Sequence, residues 1–351
     1  MKKLAALVMA FTMTAMMLAG CGNDSGENNS MSGTNQENPG ESVQDTTPDN
    51  ADTTPDNADT ATYNVGICQL VQHDALDAAT QGFQDALKEK LGDQVVFDYQ
   101  NASGDSATCA TIANQFVAAD VDLILANATA PLQSAAAATN QIPILGTSIT
   151  DYATALEIDN WTGVTGTNIS GTSDLAPLEE QAAMLNELFP DAEKVGLIYC
   201  SAEPNSEYQV TVVEAALQNL GYTCKRYTFA DSNDIATAVN SATAECDVLY
   251  IPTDNAAASS TEVIDNICRP AGVPIIAGEE NICANCGVAT LSISYYDLGY
   301  QTGLMAYEIL VNGADVSTME IQYAPQVTKK YNVEICEELG ITIPDGYEPI
   351  G

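Results

Sequence analysis

Apolar and polar positions along this chain switch repeatedly between two periods. Residues 63–69 form a short β-type run. Leu76, Ala79, Phe83 and Leu87 then recur at helical spacing, and Gly92 closes that helix. The pattern continues with a strand over 95–99, a helix over 106–119, a strand over 121–126, a short helix after Pro131 and a strand over 142–146. The rhythm then restarts. A helix over 177–189 carries Leu178, Ala182, Leu185 and Phe189 on one face, and a strand covers 195–199. A helix over 206–220 is striped by Val210, Val213, Leu217 and Leu220. Strands over 222–229, 248–251 and 273–277 alternate with helices over 234–244 and 256–269, and a last helix covers 298–310, capped by Gly313. Alternating strands and helices predict parallel sheets flanked by helices. Two such runs predict an α/β chain of two tandem lobes, each too small to be a whole TIM barrel. We expect lobe 1 over residues 63–172 with about 297–322 returning to it, and lobe 2 over 173–296 with part of 323–351.

The first 62 residues follow neither period. Lys2 and Lys3 precede an uncharged apolar run over 4–18, and Leu18-Ala19-Gly20-Cys21 follows. This reads as a secretory signal peptide over 1–21; the run is too short to span a membrane. The cysteine after a small pair resembles the lipobox of bacterial lipoproteins, which implies lipidation of Cys21 and a membrane contact through the lipid alone. Residues 22–62 hold 9 acidic side chains, no basic one and no aromatic. Thr-Thr-Pro-Asp-Asn-Ala-Asp at 46–52 is repeated at 53–59. Such a segment cannot bury enough surface to offset its ordering entropy, so we expect a disordered acidic tether.

Charge narrows the function. Against 48 Asp and Glu stand 10 Lys and Arg, a formal net charge of −38. A surface so acidic repels phosphate, which excludes a nucleic-acid partner. One histidine argues against a histidine-rich metal centre. Besides Cys21 there are nine cysteines, an odd number. Only Cys283 and Cys286 lie close in sequence, with no second pair or histidine near them, so neither a metal nor a redox centre is expected. Gly171-Thr172-Ser173-Asp174 lacks the glycine of a nucleophile elbow, and residues 163–167 are no phosphate loop. We therefore expect no enzyme and no cofactor.

In open parallel sheets ligands sit beyond the carboxyl ends of the strands. Here those ends are polar in both halves, which predicts a cleft between two lobes. The stretches Gln72-His73-Asp74-Ala75-Leu76-Asp77, Thr165-Gly166-Thr167, Glu203-Pro204-Asn205-Ser206, Ile251-Pro252-Thr253-Asp254-Asn255 and Ile276-Ala277-Gly278-Glu279-Glu280 resemble the tryptophan/tyrosine-type family of ABC-transporter solute-binding lipoproteins. The resemblance implies a type I periplasmic-binding-protein fold: two Rossmann-like lobes, three hinge crossings and a solute enclosed between them. It implies delivery of an aromatic amino acid or another small amphipathic solute to an ABC permease and its ATPase. One position departs from the family, which has Ile-Asp-Tyr-Tyr where this chain has Ile293-Ser294-Tyr295-Tyr296.

The candidate ligand residues follow from the polar strand ends and this resemblance. In lobe 1 they are His73, Thr129, Thr147 and Ser173. In lobe 2 they are Asn205, Ser206, Thr253, Asp254, Asn255 and Glu279, with Ser294 and Tyr296 before the last helix. A zwitterion needs donors for its carboxylate, expected from helix starts at Ser206 and Thr253 and from His73 or Thr129. Its ammonium needs an acceptor, expected from Asp254, with Asp297 or Glu279 in reserve. Tyr295 or Tyr296 would supply a flat wall. We expect an extracytoplasmic, lipid-anchored monomer that imports its solute. The alternatives are a sensor of the same fold without transport, or a binder of a nucleoside or sugar.

Overall fold

A computed structural model describes residues 62–350. The first lobe runs β1 (Tyr63–Gln69), α1 (Asp74–Leu91), β2 (Val95–Asn101), α2 (Ser106–Ala118), β3 (Leu123–Asn127), α3 (Thr129–Ala138), β4 (Ile144–Ile149), α4 (Tyr152–Ala155) and β5 (Ile169–Ser173). The second runs α5 (Leu178–Leu188), β6 (Lys194–Cys200), α6 (Pro204–Asn219), β7 (Thr223–Phe229), α7 (Ile235–Thr243), β8 (Val248–Ile251), α8 (Asn255–Ala258), α9 (Thr261–Ala271), β9 (Ile275–Ala277), α10 (Glu280–Cys286) and β10 (Ala289–Ser292). Then follow α11 (Tyr295–Leu310), β11 (Gln322–Tyr323), β12 (Thr328–Tyr331), α12 (Val333–Leu339) and β13 (Glu348–Pro349).

The strands form two sheets, ordered β11-β5-β4-β3-β1-β2 and β13-β12-β10-β9-β8-β6-β7. The order 2-1-3-4-5 of the first lobe repeats as 7-6-8-9-10 in the second, so the two halves share one topology. All pairings are parallel except β10 with β12. The chain crosses between sheets three times: after Ser173, after Ser292 and after Tyr323. The α/β, two-lobed expectation therefore holds. Strands β5 and β10, which end each five-stranded run, were not apparent from the pattern. Their sequences, Ile-Ser-Gly-Thr-Ser and Ala-Thr-Leu-Ser, are polar yet fully buried. Helix α11 also begins at Tyr295, three residues before the expected start.

Helix α11 lies in the first lobe although it follows the second in sequence. Its Met305 and Ala306 join Val65, Ile67, Phe83, Leu87 and Leu145 in one apolar core. The approach to α1 is close enough to require glycine: a Cβ at Gly299 would overlap the Ala79 carbonyl, and one at Gly303 would lie 2.6 Å from the Phe83 carbonyl oxygen. This seam fixes the starts of α1 and α11 relative to each other, and both face the second lobe. No described helix is long and apolar enough to cross a membrane.

Candidate functional site

The switch points of the two sheets, β1 beside β3 and β6 beside β8, open toward one another. Two buried amides organise the first. Gln69 donates to Asp77 Oδ1 at 2.6 Å and accepts from Thr80 Oγ1 at 2.7 Å. Asn127 donates to the Leu76 carbonyl at 2.8 Å and to Thr80 Oγ1 at 2.9 Å. Together they tie the first turns of α1 to the ends of β1 and β3. No side chain caps the start of α1, where His73 occupies the N-cap position. Nearby, Ala128 (φ 98°) and Ser148 (φ 57°) follow β3 and lie within β4 in the left-handed half of backbone space. Such strain persists where the surrounding fold imposes it, often at binding sites.

Between the lobes lies a cavity of about 10 Å³ lined by His73, Leu76, Ser148, Thr150, Asp174, Asn205, Thr253, Asp254, Asn255, Ala258, Glu279 and Tyr295. Of the residues expected at the ligand, it gathers His73, Asn205, Thr253, Asp254, Asn255 and Glu279. The carboxylates differ in what they already hold. Asp254 caps α8 through the Ala257 N–H at 2.8 Å and accepts from the Cys200 N–H at 2.7 Å. Glu279 caps α10 through the N–H groups of Asn281 and Ile282 at 2.7 and 2.6 Å. Glu203 accepts from the Asn255 and Ala256 N–H groups at 3.1 and 2.9 Å. Asp174 is different. One oxygen accepts the Tyr295 hydroxyl at 2.9 Å, and Oδ1 has no partner. Burial pushes Asp254 and Glu279 up to about 7 and raises Asp174 above the usual carboxylate range.

His73 spans the lobes, its Nε2 lying 3.2 Å from Asn255 Oδ1. The Asn255 amide nitrogen donates to Glu203 Oε2 at 2.7 Å, so Oδ1 is the atom turned to the ring. Burial lowers the His73 pKa and keeps the imidazole neutral. Nε2 then carries the proton, and Nδ1 is left as a bare lone pair without a partner. Ser148 Oγ is likewise buried and unpartnered. Three unpartnered polar atoms therefore border one cavity: Asp174 Oδ1 and His73 Nδ1, which accept, and Ser148 Oγ, a hydroxyl that can accept or donate. The sequence argument treated His73 as a donor to a carboxylate; this geometry makes it an acceptor.

The remaining expected residues lie elsewhere. Thr147 bonds Thr172, which bonds Thr302, in a buried chain joining β4, β5 and α11. Ser173 donates to the Thr150 carbonyl at 2.9 Å. Thr129 and Ser206 are buried in the first turns of α3 and α6 and do not line the cavity. Ser294 is the N-cap of α11, accepting from the Asp297 N–H at 3.1 Å. Serine and aspartate both serve that role well, so the departure from Asp at this position removes a cap of one kind and supplies another. Tyr296 is 40% exposed, with its hydroxyl on Asp85. Of the two tyrosines, Tyr295 lines the small cavity and both line the adjoining crevice. Asp174 was not among the expected ligand residues; it follows β5, a strand that the sequence pattern did not reveal. All nine cysteines among the described residues are free thiols, and no group of three or more His, Cys, Asp or Glu among them is placed to hold a metal.

Two larger cavities adjoin this one. A crevice of about 540 Å³ is lined by the second and third crossings, at 292–297 and 324–328, by the start of α1 and by α10, and shares Glu279 and Tyr295 with the small cavity. A chamber of about 310 Å³ is lined by loops of both lobes and shares Asn255 with it; no residue of a crossing lines it.

Residues 64–347 match a family described as ABC transporter substrate binding protein. The chain is 34% identical over 312 residues to a tyrosine-binding protein of Clostridioides difficile, an alignment that covers 88% of this chain and 84% of the relative. Among solved structures, it resembles an ABC domain from Streptococcus pneumonia in complex with L-Trp, with TM-score 0.78, 31% identity, and coverage of 83% of this chain and all of the other. A ligand-free, open substrate-binding protein with adhesive properties from Clostridium difficile gives TM-score 0.63 at 34% identity, covering 82% and 99%.

Proposed function

This chain belongs to the ABC transporter substrate-binding protein family, and from that premise we propose that it captures an α-amino acid, most readily an aromatic one, between its lobes and delivers it to an ABC permease. The observation that carries this reading is the set of three unpartnered atoms able to accept around one cavity, Asp174 Oδ1, His73 Nδ1 and the Ser148 hydroxyl oxygen. An ammonium group has three N–H donors and no acceptor, so it is the complement of that set. Its charge also offsets the buried Asp174 carboxylate, which has no Lys or Arg beside it in the lining. The α-carboxylate would lie at the uncapped start of α1, whose leading N–H groups and positive dipole end suit an anion. This orientation reverses part of the sequence expectation: the ammonium acceptor is Asp174 rather than Asp254, and the donors come from lobe 1 rather than from Ser206 and Thr253.

The aromatic preference is supported by the tyrosine-binding relative and the L-Trp complex. The proposed cycle is capture and release without chemical conversion. Anchoring through a lipid on Cys21, with residues 22–62 as the tether, completes the reading; both lie outside the described residues. The test is a thermal-stability screen of purified protein against amino acids, nucleosides and sugars, since a solute that binds only the folded state raises stability by mass action. Aromatic amino acids should raise Tm most. A rise confined to nucleosides or sugars would overturn the amino-acid reading. For the anchor, Cys21→Ser should move the protein out of the membrane fraction of a native-like host, and unchanged retention would refute it.

A further inference from the structure

We propose that His73 couples occupancy of the cavity to closure of the lobes: one ring nitrogen meets the solute, and the other latches the second lobe through Asn255. The inference rests on the ammonium reading above and adds how the first lobe reports occupancy to the second. Nothing in it depends on which side chain the solute carries.

The latch is built on a fixed amide. Asn255 is the first residue of α8 and is buried. Its Nδ2 donates to Glu203 Oε2 at 2.7 Å, and its backbone N–H donates to the same oxygen at 3.1 Å. The Ala256 N–H donates to Glu203 Oε1 at 2.9 Å, and Asn205 Nδ2 donates to Oε2 at 3.2 Å. Held by these bonds, Glu203 keeps the Asn255 amide from turning over, because the flipped amide would set its oxygen against a carboxylate. Oδ1 therefore points across to the His73 ring, 3.2 Å from Nε2. Among the described residues no other side-chain hydrogen bond joins the lobes outside the crossings.

The imidazole links this amide to the cavity. His73 stands before α1 but makes no cap bond, which leaves both ring nitrogens for these two tasks. A neutral ring has one N–H and one lone pair, and the two nitrogens can exchange them. Burial keeps His73 neutral. Donation to Asn255 puts the proton on Nε2 and leaves Nδ1 bare at the cavity. An ammonium N–H directed at Nδ1 requires the same tautomer. The opposite tautomer fails at both ends: an Nδ1–H faces the solute's N–H, and an Nε2 lone pair faces Asn255 Oδ1. Solute and latch therefore select one protonation pattern, and each strengthens the other by the same factor. The two other atoms of the cavity lack such a second face. Asp174 is bonded to Tyr295 at a crossing, and Ser148 Oγ has no partner.

The chain has a single histidine, so its ring can be read directly. Purified protein, isotope-labelled at the histidine ring nitrogens, is observed by NMR with and without saturating L-tyrosine or L-tryptophan, whichever binds tighter; protonated and bare ring nitrogens have well-separated shifts. Without solute, water reaches the ring in the open cleft, and we expect shifts averaged over both tautomers. With solute, Nε2 should be protonated and Nδ1 bare. Stopped-flow binding of the same amino acid is run on the parent and on Asn255→Ala, with Tm as the folding control. Asn255→Ala should raise the dissociation rate constant about five- to tenfold, the contribution of one net hydrogen bond, and leave the larger part of the affinity loss in dissociation rather than association. Should Asn255→Ala not fold, Asn255→Leu keeps the shape of the side chain without its acceptor. Ring shifts unchanged by the solute, or a proton on Nδ1 in the complex, overturn the coupling. A dissociation rate unchanged in the Asn255 variant overturns the latch. A parent that binds neither amino acid overturns the aromatic amino-acid reading itself, and this inference with it, which separates the two failures.

Discussion

Tyr295 donates its hydroxyl hydrogen to Asp174 Oδ2 at 2.9 Å and leaves the other oxygen of that buried carboxylate unpartnered at the inter-lobe cavity. The two residues belong to different crossings, so the bond ties the first crossing to the second. It also aims Oδ1. A carboxylate so placed is costly unless a cation meets it.

Asp174→Asn keeps the shape and removes the charge. A charge-assisted hydrogen bond contributes about 1.5–3 kcal/mol, so affinity for the best amino acid should fall roughly ten- to a hundredfold. Tm without added solute should hold or rise, because a buried charge is gone. Calorimetry beside a melting curve checks both, and unchanged affinity would remove Asp174 from the site.

Asp254 tells the opposite story. At 1% exposure, it caps α8 and holds the Cys200 N–H, so it is part of the second lobe's frame. Truncation in Asp254→Ala removes an N-cap bond, about 0.5–2 kcal/mol, and strands a buried N–H, about 1–3 kcal/mol. Asp254→Ala should lower Tm by several degrees. Its affinity loss, read at a temperature where the variant is folded, should be smaller than that of Asp174→Asn.

The same carboxylates set a pH dependence. Burial raises Asp254 and Glu279 to about 7, and Asp174 shifts the same way. In the unfolded chain these groups titrate near 4. Between about pH 4 and 7 the folded protein therefore binds more protons than the unfolded one, and stability from these groups falls as pH rises. Exposed carboxylates with lowered pKa, such as Asp105 and Glu207, lose their contribution only on acidification below the ordinary range. Tm without solute should therefore fall from pH 5 to pH 7.5, and Glu279→Gln should flatten the slope. Affinity runs the other way. Ammonium binding needs Asp174 ionised and His73 neutral, so it should tighten with rising pH, and Asp174→Asn should lose most of that trend.

Comparing these three acids shows where sequence reading stops. Asp174, Asp254 and Glu279 all follow a strand end and precede a helix, the setting in which an acid is usually a cap. Two of them are caps. The third is not, because the helix after it starts at Leu178, beyond reach; that helix start was legible in the sequence, but the strand ending at Ser173 was not. The framework was legible because β1, α1, β6 and α6 have strong, unmixed periods. Strands β5 and β10 were hidden because their polar residues are buried at the junction of the lobes. Ser294 and Tyr296 stand outside the small cavity for one reason: α11 starts at Tyr295, so they are its cap and its outer face, at the adjoining crevice.

The glycine seam between α1 and α11 gives the last prediction. Gly299 faces the Ala79 carbonyl so closely that a Cβ there would overlap it, and Gly82 faces the Tyr296 carbonyl in the same way from α1. In an exposed helix, replacing glycine by alanine would be stabilising. Here the methyl must push two backbones apart, and overpacking of this kind costs about 1–3 kcal/mol. The consequence reaches the site, because α1 begins beside His73 and α11 begins with Tyr295. Spreading the helices moves an ammonium acceptor and the residue that aims Asp174 together. Gly299→Ala should lower Tm and weaken amino-acid binding at least tenfold, while Gln301→Ala, two residues along the same helix and only half-buried, should change neither. If Gly299→Ala binds as tightly as the parent, the seam supports the fold without positioning the site. Proportional losses in Tm and affinity across Gly82→Ala, Gly299→Ala and Gly303→Ala would show that the distance between these two helices sets the geometry of the head-group pocket.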